Sequence, residues 1–387
     1  MSITDIAGIQ ATGGSVGIKA GGVFDAALVC VDEPVTCVGV FTQNKACAAP
    51  VKLSRAHLEQ TSGAIRAILV TSGNANAATG APGLAAAEAL CEAVASSIGA
   101  KTDEVLLCQT GLIGIPFPLD AALPGVSSLA STLGSDASAG ERAAKAMLTT
   151  DTFEKTVSLA KQGVRVAGMA KGAAMLAPNM ATMLCVLATD AKVSKDRLDA
   201  ALRAGVAESF NSMDIDGATS TNDTVLLLSM GTAPEPEAGV LEALVAEACM
   251  KLAKDMVLDA EGAKKACIIT VRGALTDSQA HQGARKVATS NLVKCSLNGE
   301  DPYWGRVLSE IGTAGIECDP ELVTISYGGI AVSKSAVAID HDVAGVRAHM
   351  AERWIDIDVD LDLGSGTASI LTTDLGHGYI DENRTTS

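Results

Sequence analysis

A threonine lies near the middle of the chain, where a glycine-rich stretch turns into an apolar run. The segment KGAAMLAPNMATMLCVLATD covers residues 171–190, and its Pro-Asn pair indicates a turn shortly before Thr182. The apolar and β-branched residues that follow Thr182 predict a buried strand. A threonine at the start of a strand is also common in an ordinary packed core, so the residue type alone does not establish chemistry.

Cleavage of the Ala181–Thr182 peptide bond would make Thr182 a nucleophile that carries its own base. The new α-amino group has a reference pKa of about 7.7–8.0 and would belong to the same residue as the hydroxyl. This pairing is the N-terminal threonine form of covalent catalysis. The Thr182 hydroxyl could also cut the chain itself, by attacking the Ala181 carbonyl to form an ester that water resolves. A strained turn before Thr182 would favour that attack.

Acyl transfer to a hydroxyl also needs hydrogen-bond donors for the oxyanion. The segment CQTGLIG, residues 108–114, ends a predicted strand and offers the Thr110 hydroxyl and the Gly111 N–H. Sequence spacing does not show that these donors meet Thr182. They are therefore candidates.

Other motifs give weaker signals. GGSVG at residues 13–17 has the form of a nucleophile elbow around Ser15, but no strand is predicted before it and no helix after it, which favours a glycine-rich loop. The five histidines show no metal-ligand spacing, so no metal site is expected. DIDGATSTNDT at residues 214–224 favours a turn whose Asp and Asn side chains cap the backbone and line a site, rather than a cation loop.

Composition limits the class of protein. The 387 residues carry a net charge of −16, which disfavours nucleic acid and anionic membranes as partners. The N-terminus lacks the features of a signal peptide, and no uninterrupted apolar run reaches membrane-spanning length. Ten scattered cysteines without a C-x-x-C pair predict free thiols, mostly in the core, of a cytoplasmic protein.

Strand-like and helical segments alternate irregularly, which predicts a mixed α/β fold with two or three core-forming units. Helices are expected over residues 83–99, 194–210 with Ser194 as N-cap, 237–262 and 278–297. Near the C-terminus, two alternating runs around GSG at 364–366 predict a β-hairpin. The region from Pro178 to Thr182 is the clearest place to divide the chain.

Taken together, these segments resemble the ornithine acetyltransferase family, the bifunctional glutamate and ornithine N-acetyltransferases of arginine biosynthesis. The similarity runs nearly end to end. Its most specific motif is MAKGAAMLAPNMATML at 169–184, joined by FTQNKACAAPV at 41–51, SGNANAATG at 72–80, DIDGATSTNDTV at 214–225, DAEGAKK at 259–265 and TTDLGHGYIDEN at 372–383.

The resemblance implies a layered αββα fold like that of certain N-terminal-nucleophile aminopeptidases. It implies a chain cut between Ala181 and Thr182 into an α fragment, 1–181, and a β fragment, 182–387, assembled as two α and two β fragments. The implied reaction is ping-pong: N2-acetylornithine acetylates Thr182, ornithine leaves, and glutamate takes the acetyl group. Some members also use acetyl-CoA as a substrate, and no cofactor is implied.

The resemblance also assigns site residues. Thr110 and Gly111 match the oxyanion donors. Substrate contacts match Thr149, Lys171, Thr182, Glu261, Asn383 and Ser387. In such a site Lys171 could hold a carboxylate or lower the pKa of an amine, and Glu261 could take the substrate α-ammonium.

Some positions depart from the family pattern. Ala174 replaces a usual glycine, Tyr303 a usual asparagine and Gln109 a usual serine. The tail is one residue shorter after Asn383, so Thr386 competes with Ser387 as the C-terminal contact. Alternative interpretations are a hydrolase or aminopeptidase using Thr182, a paralogue with another acyl donor, and a chain that does not cut itself and only binds.

Overall fold

The computed structural model describes residues 1–177 and 183–384. Ala181, Thr182, Thr386 and Ser387 therefore lie outside the described residues. The chain forms two compact units. Unit 1 contains residues 1–211 and 219–256, and unit 2 contains residues 212–218 and the chain from residue 257 onward.

The strands of the described residues, in chain order, are β1 Gln10–Gly14, β2 Ala26–Phe41, β3 Ala64–Asn74, β4 Val105–Leu112, β5 Lys155–Lys161, β6 Val164–Lys171, β7 Leu184–Thr189, β8 Met213–Asp214, β9 Thr224–Ser229, β10 Ala266–Ala274, β11 Thr324–Tyr327, β12 Ile330–Lys334, β13 Val337–Ala338, β14 Trp354–Asp360 and β15 Gly366–Thr373.

The α-helices are α1 Ala49–Gln60, α2 Gly80–Ile98, α3 Leu119–Leu129, α4 Ala137–Met147, α5 Lys195–Glu208, α6 Val240–Leu258, α7 Asp277–Ala288, α8 Asn291–Asn298, α9 Trp304–Gly312, α10 Val343–Ala351 and α11 His377–Asn383. Short 3-10 turns supplement them.

Unit 1 is built on a mixed sheet with the strand order β4-β3-β2-β9-β7-β6-β5, and β1 pairs with β2. Successive residues of a strand point to opposite faces, and the core follows that alternation. Leu28, Leu69 and Leu107 pack with α1, α2 and α3 on one face. Val29 and Leu106 belong to the cluster on the other face, which includes α4. The sheet is therefore covered by apolar clusters on both sides.

Unit 2 is built on a second mixed sheet with the order β13-β12-β11-β14-β10-β15-β8. Its core is an apolar cluster in which alternate residues of β10 and β14, such as Ile269 and Ile357, meet residues of α7 to α10, such as Val287 and Met350. Two mixed sheets, each with packed helices, confirm the predicted mixed α/β class.

Several predicted elements are confirmed, including α5, whose N-cap Ser194 accepts a hydrogen bond from the Arg197 N–H. The predicted hairpin around GSG is wrong. β14 and β15 do not pair with each other in this sheet, because β10 lies between them, parallel to β14 and antiparallel to β15. Alternating polarity gives the exposed and buried faces of a strand, but it does not give the neighbouring strand.

Several helices and strands have different bounds in the structure from those predicted. The predicted helix 278–297 is two helices, because Ser290 caps a new helix by accepting from the Val293 N–H. The predicted helix 237–262 spans only residues 240–258. The predicted strands 26–31 and 35–42 form the single strand β2. The first two residues of GGSVG belong to β1, a strand that sequence analysis did not predict, and only the rest of the motif is a loop.

The compact units do not follow the predicted division near residue 181. β7 follows that division and pairs with β6, which precedes it, in the same sheet of unit 1. The predicted cut concerns a peptide bond rather than a domain boundary, so it stays a prediction. Among the described residues, no helix is long and apolar enough to cross a membrane.

Candidate active site

The predicted oxyanion donors, Thr110 and Gly111, lie near the C-terminal end of β4, which pairs in parallel with β3. In the register of β3 and β4, Ser72 is opposite Thr110 and Gly73 is opposite Gly111. Thr110 is buried, whereas Gly111 is exposed. Gly111 has a φ of +130°, a backbone conformation that favours glycine. The backbone at Gly111 therefore has a shape that residues with a Cβ atom rarely adopt.

The peptide before Thr110 is held by a buried network of amide side chains. The Gln109 side chain donates to Thr71 Oγ1 at 3.1 Å and accepts from Asn76 Nδ2 at 2.9 Å. Gln109 thus anchors β4 to β3. The Asn222 Nδ2 donates to the Gln109 carbonyl at 2.9 Å and to the Ala75 carbonyl at 2.6 Å. Asn222 therefore fixes the peptide plane that leads into Thr110.

Asp223, the residue after Asn222, binds the backbone of Met183, the residue that follows Thr182. Asp223 is fully buried, and its Oδ1 accepts the Met183 N–H at 2.9 Å. The Thr224 N–H donates to the Met183 carbonyl at 3.2 Å. Met183 is thus fixed on both of its backbone groups by two successive residues, Asp223 and Thr224, where the loop enters β9.

A second buried group surrounds Asp151. Its Oδ1 accepts from Lys155 Nζ at 2.8 Å and from the Gly172 N–H at 2.7 Å. Its Oδ2 accepts from the Thr149 N–H at 3.2 Å and lies 3.6 Å from Lys171 Nζ. The predicted substrate contacts Thr149 and Lys171 therefore share one carboxylate.

Another cation lies close to this group. Lys19 Nζ donates to the Leu148 carbonyl at 2.5 Å, next to Thr149 in the chain. Burial, the largest cause, lowers the pKa of Lys19 below its ordinary value; the charge of Asp25 opposes this shift, that of Lys171 adds to it, and that of Asp151 opposes it. The nearby Asp25 carboxylate accepts the backbone N–H groups of Val16, Ile18 and Lys19 at 2.6–2.8 Å. Asp25 thereby fixes the loop that carries Lys19.

Two carboxyl groups of the site have opposite pKa shifts. Burial opposes ionisation of Asp151, but the charges of Lys171 and Lys155 hold its pKa well below the ordinary value. Burial raises the pKa of Asp223 well above the ordinary value, although the Met183 N–H, the Ser220 side chain and the charge of Lys171 act in the other direction. The site therefore contains one firmly ionised carboxylate and one that resists ionisation.

The loop before the predicted cut carries a strained residue. Met175 has a φ of +56°, in the left-handed region that residues with a side chain rarely adopt. Ala174, where the resemblance implies a glycine, does not have this conformation. The replacement at Ala174 therefore imposes no left-handed strain.

The remaining predicted contacts lie in unit 2. Asn383 Nδ2 donates to Glu261 Oε2 at 2.8 Å and to the Tyr379 carbonyl at 3.0 Å. The turn after Glu261 approaches α11 so closely that a Cβ atom on Gly262 would lie 2.1 Å from the Gly378 carbonyl carbon. Glu261 and Asn383 are therefore brought together within this unit. Tyr303 is 53% exposed and contacts Arg306 through its ring.

Sequence analysis missed Lys19, Asp151, Asn222 and Asp223. Lys19 lies in the segment GIKAGG at 17–22 and Asp151 in TTDT at 149–152, whereas Asn222 and Asp223 lie in DIDGATSTNDT, which was predicted as a turn. The feature that could have identified them is a charged or amide residue inside a segment that is otherwise expected to be buried. Of the other candidates, Ser15 is exposed, and the described residues contain no cluster of side chains suited to a metal.

Comparison with known proteins places this chain in a family. A model described as the ArgJ family matches residues 10–385. The "Arginine biosynthesis bifunctional protein ArgJ" of Mycolicibacterium paratuberculosis is 45% identical over 98% of this chain and 95% of its own length. The protein of the same name from Bifidobacterium longum is 43% identical over 99% of both chains.

Two solved structures are also similar. Arginine biosynthesis bifunctional protein argJ from Bacillus halodurans is 31% identical with a TM-score of 0.49, covering 52% of this chain and 97% of that chain. Ornithine acetyltransferase from Mycobacterium tuberculosis, crystallised with ornithine, is 42% identical with a TM-score of 0.44, covering 46% of this chain and 94% of that chain. Because the family model matches residues 10–385, which is nearly the whole chain, the chain belongs to the ArgJ family.

Proposed function

We propose that this enzyme transfers the acetyl group of N2-acetyl-L-ornithine to L-glutamate, after cutting itself between Ala181 and Thr182. The observation that carries the proposal is the 45% identity over 98% of the chain to a relative named for arginine biosynthesis. The buried groups around Thr110, Lys171 and Met183 provide the physical support.

The proposed reaction has two half-reactions at Thr182. The hydroxyl attacks the acetyl carbonyl of acetylornithine and passes its proton to the α-amine, and the tetrahedral oxyanion is stabilised by Thr110 and Gly111. The C–N bond breaks, ornithine leaves with the proton, and an acetyl ester remains on Thr182. The amine of glutamate then attacks that ester, and Thr182 is released as its hydroxyl.

The charge of unit 1 suits an anionic substrate group. Lys19, Lys155 and Lys171 bring three ammonium groups to a region that also holds the two carboxylates of Asp151 and Asp25, so one positive charge remains. Acetylornithine and glutamate both carry an α-carboxylate. We propose that Lys171 and Thr149 hold it, with charge-assisted hydrogen bonds.

Substrate recognition extends in this proposal to Glu261, Asn383 and the C-terminal Ser387. The carboxylate of Glu261 would take a substrate ammonium group, and Asn383, which donates to Glu261 Oε2, would orient it. No cofactor takes part in the proposed chemistry.

The two fragments produced by the cut would remain together. β6 of the α fragment pairs with β7 of the β fragment over six residues, from Val166–Thr189 to Lys171–Leu184. β9, also from the β fragment, pairs with β2 of the α fragment. Separation would expose buried strands and break both ladders. We propose the assembled form to be two α and two β fragments.

A second activity is acetylation of glutamate with acetyl-CoA as donor, which the word "bifunctional" in the relatives' name favours. The test is an assay of purified protein with acetylornithine plus glutamate, with acetylornithine in water, and with acetyl-CoA plus glutamate. The proposal predicts N-acetylglutamate in the first assay and little free acetate in the second. Acetate release independent of glutamate would instead indicate a hydrolase, and no reaction would favour a binding protein.

A further inference from the structure

We propose that Asn222 and Asp223 form a positioning pair, which sets the distance between the oxyanion strand β4 and the start of β7. The inference rests on the proposed function, since it concerns how the reacting groups are aligned. It assigns a role to two residues whose side chains take part in neither bond-making nor substrate binding.

The first half of the pair acts on β4. Asn222 is 3% exposed, and its single amide group donates to two carbonyls, those of Gln109 and Ala75. The Gln109 carbonyl belongs to the same peptide group as the Thr110 N–H. Asn222 is itself held in place. Its Oδ1 accepts from the Thr221 hydroxyl at 2.6 Å, which orients the side chain, and its backbone N–H donates to Ser220 Oγ at 3.0 Å.

The second half acts on β7. Asp223 Oδ1 accepts the N–H of Met183, the residue covalently joined to Thr182, at 2.9 Å. The backbone of Asp223 is itself fixed, since its carbonyl accepts from the Thr42 N–H at 2.9 Å. Burying a carboxyl group is costly unless it is hydrogen-bonded, so its presence at a fully buried position needs a reason. Holding Met183 supplies one.

Two adjacent residues thus connect the peptide before Thr110 to the peptide after Thr182. Catalysis by proximity is sensitive to such alignment: a misplacement of about 1 Å can cost about 100-fold in rate. Because neither side chain contacts Lys171 or Thr149 through a hydrogen bond, we expect their loss to change kcat much more than KM.

The test uses the full-length protein and compares three variants of the pair. Asp223→Leu removes the acceptor at similar size and should lower kcat at least about 100-fold. Asp223→Asn keeps one oxygen, which is all that the Met183 N–H needs, and should stay within about tenfold of the wild type. Asn222→Ala should lower kcat about 100-fold. In each variant the KM for acetylornithine should remain within about threefold, and the rate of self-cleavage should fall in the same order.

Asn44→Ala is the matched control. Asn44 Nδ2 also donates to a carbonyl of this loop, that of Thr219 at 3.0 Å, but Asn44 contacts neither β4 nor Met183. It should change kcat by less than about threefold. The proposal is overturned if Asp223→Leu keeps wild-type kcat, if Asp223→Asn loses as much as Asp223→Leu, or if Asn44→Ala loses as much as Asn222→Ala.

The rate of self-cleavage separates this inference from the proposed function. If the wild-type protein cuts itself but transfers no acetyl group, the proposed function fails. The order of cleavage rates among the same variants still decides the role of the pair.

Discussion

Gly111 lies directly beside Gly73 in the parallel register of β3 and β4, and neither position has room for a side chain. A Cβ atom on Gly111 would lie 2.3 Å from the Gly73 carbonyl carbon, and one on Gly73 would lie 2.9 Å from Lys19 Cγ. The backbone of one strand therefore approaches the other at the point where an N–H donor is proposed to face the substrate.

Gly111→Ala should accordingly reduce acetyl transfer strongly. The new methyl group would displace Gly111, which also has an unfavourable φ of +130° for alanine, and would misplace its N–H. Loss of one oxyanion donor lowers kcat by about 100- to 1,000-fold. Steady-state kinetics measure this effect. Gly163→Ala is the control, because Gly163 also has positive φ but lies in a turn with open space around its Cβ position. An equal loss in both variants would contradict the proposed role.

The ion pairs of Asp151 predict a pH dependence of stability. The pKa of Asp151 is lowered in the folded state, so its stabilising contribution is complete above the unfolded pKa of about 3.9 and is lost as the pH falls through the folded pKa. Urea unfolding between pH 3 and 6 should therefore show a loss of about 1.4 kcal/mol per pH unit below pH 4 that is absent in Asp151→Asn.

At pH 7 the same variant should be less stable by about 3–5 kcal/mol, since it leaves buried lysines without their counter-charge. The control is Asp136→Asn, at an exposed N-cap where asparagine can also accept the Ala139 N–H, and its stability at pH 7 should stay close to that of the wild type. A slope below pH 4 that is unchanged in Asp151→Asn would show that Asp151 does not contribute it.

Local patterns in the sequence predicted individual helices and strands better than they predicted which strands pair with each other. Ser194 and the apolar periodicity after it identify α5 because capping and burial are decided within a few residues. The pairing of β14 and β15 with β10 depends on residues almost one hundred positions away, so the turn signal at GSG predicted the wrong neighbour.

The candidate site shows the same limit. Thr110 and Lys171 were identified from motifs, but two contacts become visible only in the folded chain: Asn222 donates to the Gln109 carbonyl before Thr110, and Asp151 pairs with Lys171. Nothing in the spacing of DIDGATSTNDT distinguishes an Asn that caps its own turn from one that joins two other segments.

Acetyl transfer should decrease at acid pH. If the α-amine of Thr182 is the base, its protonation removes activity as the pH falls through a pKa near the reference value of about 7.7–8.0. The pH profile of kcat/KM measures this, with thermal unfolding at each pH as the control for stability. An acid limb that stays flat down to pH 6 would require a different base.

Substitution of Thr182 should affect self-cleavage and acetyl transfer, the two proposed functions of its hydroxyl. Thr182→Ala lacks the hydroxyl and should neither cut itself nor transfer acetyl groups. Thr182→Ser keeps a hydroxyl next to the α-amine and should retain part of both activities. Acetyl transfer by the alanine variant at more than about 1% of the wild-type rate would exclude Thr182 as the nucleophile.

The most direct test of the central claim is the covalent state of active enzyme. Purified protein that transfers acetyl groups should give two bands on a denaturing gel, residues 1–181 and residues 182–387, and end sequencing of the second should begin at Thr182. Full activity in a preparation that remains one unbroken chain of 387 residues would contradict the account.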